Sequence, residues 1–274
     1  MLPWRVRIEL HCHSTWSDGS ASVAEVAAKA AARAPVVMAL TDHDCAAGHA
    51  ELATTIPNAI RACELTCVED RRAVHVLVYD AAGDERWAEF ESLLAKQAAG
   101  RRERLRAIAA RLFHQGVVLD VEPILARADG RVVGRPDIAA ALVAQGVVAS
   151  KDEAFDRWLR DGGPADVPLA RLTIADGLAA IRAVGARASL AHPHQHGDRA
   201  ARWLKQYRAD GLDGIEACYG RYDTGERARW LRVADSLELT ATGGSDWHGE
   251  AWTELGVEVP EERGQRLLAW LGRA

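Results

Sequence analysis

Short apolar runs rich in β-branched residues alternate along the chain with longer segments in which apolar positions recur every three or four residues. The short runs predict strands and the longer segments predict helices. We predict strands at residues 6–10, 36–40, 59–63, 74–79, 188–191, 214–219 and 239–242. We predict helices at residues 23–33, 174–184, 199–209, 226–236 and 261–272, the first with Ser20 or Ser22 as its N-cap. This alternation is typical of an α/β fold with a mostly parallel sheet covered by helices.

The alternation stops between about residue 95 and residue 168, where glycine and proline separate two or three predicted helices. Because 274 residues suit one large domain, a helical insertion explains this interruption better than two independent domains do. We therefore predict a discontinuous barrel domain formed by residues 1–95 and 169–274. Residues 96–168 would be a helical insertion that lies over the active-site mouth and caps the substrate.

The composition describes a globular protein with a substantial core, because 49% of the residues are hydrophobic and 27% are charged. No apolar run approaches the roughly 20 residues of a membrane span. The first residues run into a strand without the zones of a signal peptide. The five cysteines are odd in number and irregularly spaced, which argues against a disulfide framework. We therefore expect a cytoplasmic protein with reduced thiols and no membrane association.

The charge is unevenly distributed along the chain. The net charge is −5, yet residues 96–135 contain nine basic and four acidic side chains. This local surplus suits an anionic partner, and it is equally typical of a solvated helix face.

The segment His11-Cys12-His13, followed by Asp18, is the strongest sign of chemistry in the chain. Residues two apart on a strand point the same way, so both imidazoles can converge on one cation. Similar fragments lie at or just beyond other β-type runs: Thr41-Asp42-His43-Asp44, Glu64 with His75, Ala191-His192-Pro193 and Gly244-Ser245-Asp246-Trp247-His248. A lone histidine is more often structural than a ligand, but six at matched positions beside acidic residues reverse that expectation. The pattern predicts a cluster of metal ions at the strand ends of a barrel.

These five ordered motifs, between residues 8 and 248, resemble the polymerase and histidinol phosphatase (PHP) family. They are most similar to the branch of nucleoside 3′,5′-bisphosphate phosphatases and 5′-to-3′ exoribonucleases, which also carries a helical insertion with a motif like Gly134-Arg135-Pro136. The resemblance implies a distorted (β/α)7 barrel, similar to a TIM barrel, that holds three divalent cations, either manganese, iron or zinc.

The resemblance also implies a ligand set for each cation. The first would bind His11, His13, Glu64 and Asp246; the second Glu64, His75 and His192; and the third Asp18, His43 and His248. Aspartate at position 18, where some members have histidine, is a hard ligand that favours manganese or iron over zinc, and manganese is the expected metal. Asp42 or Asp44 could accept the outward N–H of a ligating imidazole.

Such a centre predicts hydrolysis of a phosphate ester without a serine or cysteine nucleophile. Two cations bridged by Glu64 can share a hydroxide that attacks phosphorus, because each cation lowers the pKa of bound water. Asp246 would take part in catalysis, and Arg135 with the third cation would neutralise the phosphate oxygens. His194, or a water on the metals, would protonate the leaving group.

Arg135, Trp16 and Trp247 are the candidate substrate-binding residues. Arg135 suits a phosphate contact, although Gly-Arg-Pro can also form a simple turn. Each tryptophan could stack on a nucleobase or pack beneath the site. Asp137, Gln195 and residues 161–166 depart from the usual residues of the branch, so hydrolysis of a phosphate ester is a safer inference than any one ester.

We expect a phosphatase for a small nucleotide, such as a nucleoside 3′,5′-bisphosphate, or a hydrolase of short RNA 5′ ends. One alternative is a PHP phosphatase for a non-nucleotide metabolite such as histidinol phosphate or a sugar phosphate. Another is an inactive, metal-stabilised binding module, which loss of a ligand would mark, and no ligand is missing. No obligate protein partner is evident from the sequence.

Overall fold

The computed structural model describes residues 5–128, 130–168, 172–249 and 253–273. The chain divides into two compact units. Met1–Ser92 together with Leu172–Ala274 form the first unit, and Leu93–Arg171 form the helical unit. The sequence analysis places the corresponding limits at 95/96 and 168/169. A capping role for the helical unit stays a prediction.

Strands and helices follow one another along the described residues, and every described strand belongs to the first unit. The strands are β1 Arg5–Glu9, β2 Val37–Ala39, β3 Ala59–Ile60, β4 Ala62–Glu69, β5 Arg72–Tyr79, β6 Leu172–Thr173, β7 Arg187–Leu190, β8 Leu212–Tyr219, β9 Thr240–Gly244 and β10 Val257–Pro260. The helices are α1 Val23–Ala31, α2 His49–Thr55, α3 Trp87–His114, α4 Glu122–Arg127, α5 Arg135–Ala144, α6 Lys151–Ala154, α7 Ile174–Ala183, α8 Asp198–Tyr207, α9 Thr224–Ser236 and α10 Glu261–Trp270. The mixed α/β fold predicted from the alternation is confirmed.

The strands form two sheets. One has the order β10-β1-β2-β3, and the other has the order β6-β4-β5-β7-β8-β9. Pairing is parallel between β1 and β2, β2 and β3, β4 and β6, β7 and β8, and β8 and β9. It is antiparallel between β1 and β10, β4 and β5, and β5 and β7. The sheets are therefore mostly parallel, with β5 and β10 reversed.

The sequence analysis predicts strands at residues 59–63 and 74–79, and the structure has strands in both regions. The first region is divided between β3 and the start of β4, and β4 extends to Glu69. β4 and β5 form a hairpin, which the sequence analysis did not predict, with full pairing from Ala62↔Tyr79 to Glu69↔Arg72. Asp70 and Arg71 form its two-residue turn, with φ angles of 48° and 63°. Two positive φ values in succession give the twist that a tight hairpin needs. The turn contains no glycine or asparagine, so the usual hairpin signal is missing from the sequence.

Hydrogen bonds join the two sheets near the carboxyl ends of β1, β2 and β9. Near β1 and β9, the Leu10 N–H donates to the Gly243 carbonyl over 3.2 Å and the Asp246 N–H donates to the His11 carbonyl over 2.7 Å. Beyond β2, His43 forms a parallel bridge with Glu64 of β4. The segments that follow β1 and β9 are thereby held together, and the segment that follows β2 is held beside β4.

Apolar clusters lie behind these segments and fix them in place. One cluster joins β1 and β10 to Leu267 and Leu271 at the end of α10, and another packs α1 and α2 against residues that include Cys12 and Trp247. Ser22 caps α1 and forms a capping box with Glu25, as one of the two predicted N-caps.

The helical unit contains most of α3, together with α4, α5 and α6, around its own apolar core. A single π-helical turn, Phe155–Leu159, follows α6. Of the described helices in either unit, none is long and apolar enough to cross a membrane.

Candidate metal centre

All nine side chains proposed as metal ligands lie together in the first unit. They form four overlapping groups whose ligand atoms lie within 4.8 Å of one another. The groups are His11, His13 and Asp246; His11, Glu64 and His192; His43, Glu64 and His75; and His13, Asp18, His43 and His248. Residues that are up to 237 positions apart in the sequence therefore meet at one place.

The first cluster consists of His11, His13, Glu64 and Asp246. The Nε2 atoms of both histidines lie 3.3 Å from Asp246 Oδ1, and they lie 3.4 Å and 3.2 Å from Glu64 Oε2. Both Nε2 atoms are buried, and neither makes a well-directed hydrogen bond to the carboxylate oxygens that it faces. Imidazole nitrogens and carboxylate oxygens that converge in this way are suited to a metal ion between them. Two imidazoles and two carboxylates fit a divalent transition metal.

The second cluster uses the other oxygen of the same glutamate. Glu64 Oε1 lies 3.0 Å from His75 Nδ1 and 3.0 Å from His192 Nε2. His75 and His192 are 3.3 Å apart at these nitrogen atoms. Glu64 therefore presents one oxygen to each cluster, as a bridging carboxylate would.

The hairpin β4–β5 explains how Glu64 and His75 meet. His75 pairs with Thr66 and Leu77 pairs with Glu64, so all four side chains lie on one face of the sheet. These two ligands project from within strands rather than following strand ends, which the sequence analysis did not anticipate.

The third cluster is more open to solvent. Asp18 Oδ1 lies 3.4 Å from His248 Nε2, and Asp18 Oδ2 lies 3.6 Å from His43 Nε2. The side chain of Asp18 is 40% exposed, whereas that of Glu64 is 1% exposed. His43 also places Nδ1 3.0 Å from Glu64 Oε2, so this imidazole lies between the third cluster and Glu64.

Mutual charge controls protonation in the centre. Burial would raise the pKa of Glu64, but His43, His75 and His11 hold it well below its usual range. Burial would lower the pKa of His13, but the adjacent carboxylates of Asp246 and Glu64 raise it to about 10. Burial lowers the pKa of His43 to about 4. Without metal, protons on some imidazoles therefore balance the carboxylates.

Glu216 of β8 is a residue that the sequence analysis missed. Its Oε1 lies 2.8 Å from His11 Nδ1, and its Oε2 accepts the His192 N–H over 2.7 Å. Glu216 is fully buried. A carboxylate on Nδ1 fixes the ring orientation of His11 and directs Nε2 to the centre. The only available signal is a glutamate inside the apolar run 214–219.

Two other carboxylates shape the backbone around the ligands. Asp42 accepts hydrogen bonds from the Ser14 and Ser17 side chains over 2.8 Å and 2.6 Å, which orders the loop between His13 and Asp18. Glu9 accepts the N–H groups of residues 11, 245 and 256, and burial raises its pKa to about 7. The sequence analysis proposed Asp42 as a partner of an imidazole and did not identify Glu9.

The backbone is strained where ligands are presented. His192 and Asp246 have φ angles of 26° and 51°, in the left-handed region that side chains other than glycine rarely adopt. Asp246 is also held by Tyr219, whose hydroxyl donates to Oδ2 over 2.8 Å. Strain of this kind is typical of functional sites.

His194 lies beside the second cluster. Its ring centroid is 6.4 Å from that of His192, and its Nδ1 lies 3.1 Å from the Tyr222 hydroxyl. Burial lowers the pKa of His194.

The two tryptophans proposed to contact substrate pack near the centre. Trp247 is 5% exposed and lies in the apolar cluster of α1 and α2, with Lys29 Nζ 5.2 Å from the centre of its ring. Trp16 is partly buried against the same cluster. This packing is the alternative that the sequence left open, and stacking on a base stays a prediction.

Arg135, the proposed phosphate contact, belongs to the helical unit. Its Nη1 donates to the Leu159 carbonyl and to Asp161 Oδ1, both over 2.7 Å. Asp137 accepts the Gly134 N–H over 2.7 Å and so caps α5. The structure thus gives the unusual residue Asp137 a structural role within this unit.

Comparisons with known proteins agree with the chemistry of the centre. No protein-family model matches the chain. The chain is 31% identical over 261 residues to the 3′,5′-nucleoside bisphosphate phosphatase of Chromobacterium violaceum, covering 91% of this chain and 90% of that protein. It is 32% identical over 262 residues to a 5′-3′ exoribonuclease of Haemophilus influenzae, covering 92% of this chain and 94% of that protein.

A solved structure has a fold similar to that of this chain. It is described as a metal-dependent phosphoesterase of Bifidobacterium adolescentis, and it superposes with a TM-score of 0.79 at 28% identity, covering 96% of this chain and 95% of that chain. The names of both relatives and of the solved structure denote hydrolysis of phosphate esters. The chain is therefore a phosphoesterase, and it belongs to the family that includes the 3′,5′-nucleoside bisphosphate phosphatase of C. violaceum and the 5′-3′ exoribonuclease of H. influenzae.

Proposed function

We propose that this enzyme hydrolyses a phosphate monoester of a small nucleotide, such as a nucleoside 3′,5′-bisphosphate, or acts on the 5′ ends of short RNA. The position of Glu64, with one oxygen in each of two histidine clusters, is the observation that carries the proposal. The names of the two relatives support a nucleotide or RNA substrate. A non-nucleotide phosphate ester is the alternative that the test below separates.

Three divalent cations are the proposed cofactors, with manganese favoured over iron or zinc. The convergence of the Nε2 atoms of His11 and His13 on Glu64 and Asp246, and the bridging position of Glu64, support the first two positions. Asp18, His43 and His248 would hold the third. Bound cations would supply an activated water at neutral pH and offset the charge of the phosphate.

Side chains of the protein would hold the first cation, protonate the leaving group and bind the phosphate. Asp246 and His11 would hold the first cation, while Glu216 keeps Nε2 of His11 directed at it. Tyr222 bonds Nδ1 of His194, so Nε2 of His194 is the atom that would give a proton to the leaving oxygen. Arg135 would bind a phosphate oxygen in place of Asp161.

The finer structural predictions belong to the same proposal. We infer a PHP-type, distorted (β/α)7 barrel, which the hydrogen bonds from Leu10 to Gly243 and from Glu64 to Asp42 support. A cytoplasmic location is supported by five free, buried cysteines, since disulfides are rare in reducing compartments. Residues 96–168 would form the substrate cap.

A panel of substrates tests the proposal. The purified protein, loaded in turn with manganese, iron and zinc, is incubated with a nucleoside 3′,5′-bisphosphate, a mononucleotide, 5′-phosphorylated oligoribonucleotides and histidinol phosphate. We expect the highest kcat/KM for the bisphosphate or the oligonucleotides with manganese. A preference for histidinol phosphate would support the alternative, and no hydrolysis of any ester would indicate a binding module.

A further inference from the structure

Tyr219 lies at the end of β8, beside the metal centre. Side chains of a regular strand alternate between its two faces, so Glu216 and Tyr219, three residues apart, would point in opposite directions. The pairing of β8 with β9 is irregular between them, because the ladder advances by two residues on β8 and by one on β9. A bulge of this kind changes the direction of a side chain. Glu216 therefore contacts His11, and Tyr219 contacts Asp246.

Close packing holds the ring of Tyr219. Its centre lies 5.1 Å from the ring of His194 and 5.1 Å from the ring of Tyr222. The next residue is glycine, and a Cβ at Gly220 would lie 3.0 Å from the Cα of Ser245, so glycine permits this close approach of the two segments. Tyr219 is only 3% exposed. The phenol is therefore held in place beside the centre, and its burial keeps it from contact with a substrate.

The hydroxyl of Tyr219 distinguishes the two oxygens of Asp246. It donates a hydrogen bond to Oδ2 over 2.8 Å. The other oxygen, Oδ1, lies 3.3 Å from Nε2 of His11 and 3.3 Å from Nε2 of His13. A phenol keeps its proton at neutral pH, so Tyr219 is the donor of this bond. One oxygen of Asp246 thus faces the first cluster, and the other accepts the phenol proton.

This division matters because a carboxylate can bind a cation through one oxygen or through both. A second oxygen from the same side chain occupies a further coordination position. A catalytic metal site needs an open position for water. A hydrogen bond that engages Oδ2 would therefore leave room for water in the first cluster.

We propose that Tyr219 is a positioning residue that restricts Asp246 to a single ligand oxygen and so preserves a coordination position for water. The inference rests on the proposed function. Its consequence differs from that of the contact between Glu216 and His11. Glu216 directs a ligand that has one atom to offer, whereas Tyr219 limits how many atoms Asp246 offers. Removal of the phenol oxygen should therefore slow turnover without weakening metal binding.

Crystal structures of the manganese-loaded wild type and of Y219F test the coordination directly. We expect one oxygen of Asp246 on the cation in the wild type and both oxygens in Y219F. The wild-type structure is a test by itself, whether or not the variant folds. Two oxygens of Asp246 on the cation in the wild type would overturn the inference.

Kinetics and metal affinity provide a second readout. In Y219F we expect kcat to fall by at least about tenfold, the lower end of the effect of removing a partner of a metal ligand. The affinity for manganese, measured by competition with a chelator, should equal or exceed that of the wild type. A parallel loss of affinity and kcat would show that Tyr219 only holds Asp246 in place, and an unchanged kcat would also contradict the inference.

Y207F is the matched control, because it removes the same atom from a tyrosine outside the centre. Tyr207 of α8 is buried, and its hydroxyl lies beside Glu69. We expect wild-type kcat and manganese affinity in this variant. Thermal melting of both variants checks that they fold.

The outcomes separate this inference from the proposed function. If the wild type hydrolyses phosphate esters with both oxygens of Asp246 on the cation, the inference fails and the proposed function stands. If the wild type hydrolyses no phosphate ester, the proposed function fails, and the two crystal structures decide the inference without any substrate.

Discussion

The metal centre of the first unit and the ion pairs of the helical unit both combine basic and acidic side chains, but they arrange them differently. The helical unit forms separate pairs, whereas the metal centre forms one shared cluster. In the helical unit, arginines meet acids of the same unit: Arg104 with Asp166, Arg106 with Glu122, Arg131 with Asp137 and Arg135 with Asp161. In the metal centre, six imidazoles surround three carboxylates, and the Nε2 atoms of His11 and His13 face the same two carboxylates without a well-directed hydrogen bond.

This difference distinguishes a cluster of ion pairs from a site that is suited to bind a metal ion. The basic surplus of residues 96–135 is partly matched by acids nearby in space, so it is weak evidence for an anionic ligand. The metal centre, by contrast, crowds imidazole nitrogens against carboxylate oxygens in an arrangement that suits a bound cation. Ligand atoms that converge from distant parts of the chain, not charge alone, mark the reactive region.

The largest expected effect comes from E64Q, which removes the shared carboxylate of two clusters. We expect kcat/KM to fall by at least about 10³-fold, with metal content reduced by one or more ions per chain. Activity assays and elemental analysis measure these changes. E122Q, an exposed glutamate of the helical unit paired with Arg106, is the matched control. Equal losses of kcat/KM and metal content in E64Q and E122Q would show that the metal centre matters no more for activity than an ion pair of the helical unit does.

The pH dependence of metal binding is the next effect. His13 has a pKa of about 10 without metal, so at pH 7 it carries a proton that metal must displace. Affinity should therefore rise with pH, about tenfold per pH unit for each proton released. His43, with a pKa of about 4, should release none at pH 7. Calorimetry in buffers of different ionisation enthalpy counts the protons, and a count of zero would contradict this account.

E216Q should have a smaller effect, because Glu216 orients ligands and does not bind metal in this proposal. Loss of such a partner typically costs about 10- to 100-fold in metal affinity or activity. Competition with a chelator measures affinity, and the pH profile of kcat shows whether His11 is perturbed. The shorter carboxylate in E216D should recover part of the loss. Wild-type metal affinity in E216Q would show that His11 is held by packing alone.

The smallest expected effects are changes of KM in variants of Arg135 and Asp161, which test whether the helical unit contributes to phosphate binding. Because Asp161 competes with phosphate for this guanidinium, D161N should lower KM by about two- to fivefold, the range for an exposed ion pair. R135Q should raise KM by about tenfold, as expected when a charged hydrogen bond is removed. Steady-state kinetics on both variants test the opposite signs. Changes of the same sign would indicate that the ion pair only stabilises the unit.

The nine side chains that converge in the centre could be selected from the sequence, because each lies in a motif that resembles those of the PHP family. Their role as metal ligands stays a prediction. The mixed α/β class follows from the alternation of elements, and Ser22 is recognisable as a cap. Glu216 and Glu9 are not recognisable, since a buried carboxylate within an apolar strand resembles an interruption of the pattern. Their partners, His192 and Gly256 among them, are supplied only by tertiary folding.

The hairpin between β4 and β5 could not be predicted from the sequence, for a different reason. Its turn uses Asp70 and Arg71 at positive φ, where glycine or asparagine would be expected. The strain is local, and the eight-residue pairing of the two strands compensates for it. Long-range pairing thus overrides the local preference of the turn.

That short turn also sets a limit on how this protein can change during evolution. Side chains alternate between the faces of a sheet, so slipping β5 by one residue against β4 would carry His75 to the opposite face from Glu64. A change in the length of the Asp70–Arg71 turn that shifted this register would therefore disable the second cluster without altering any ligand.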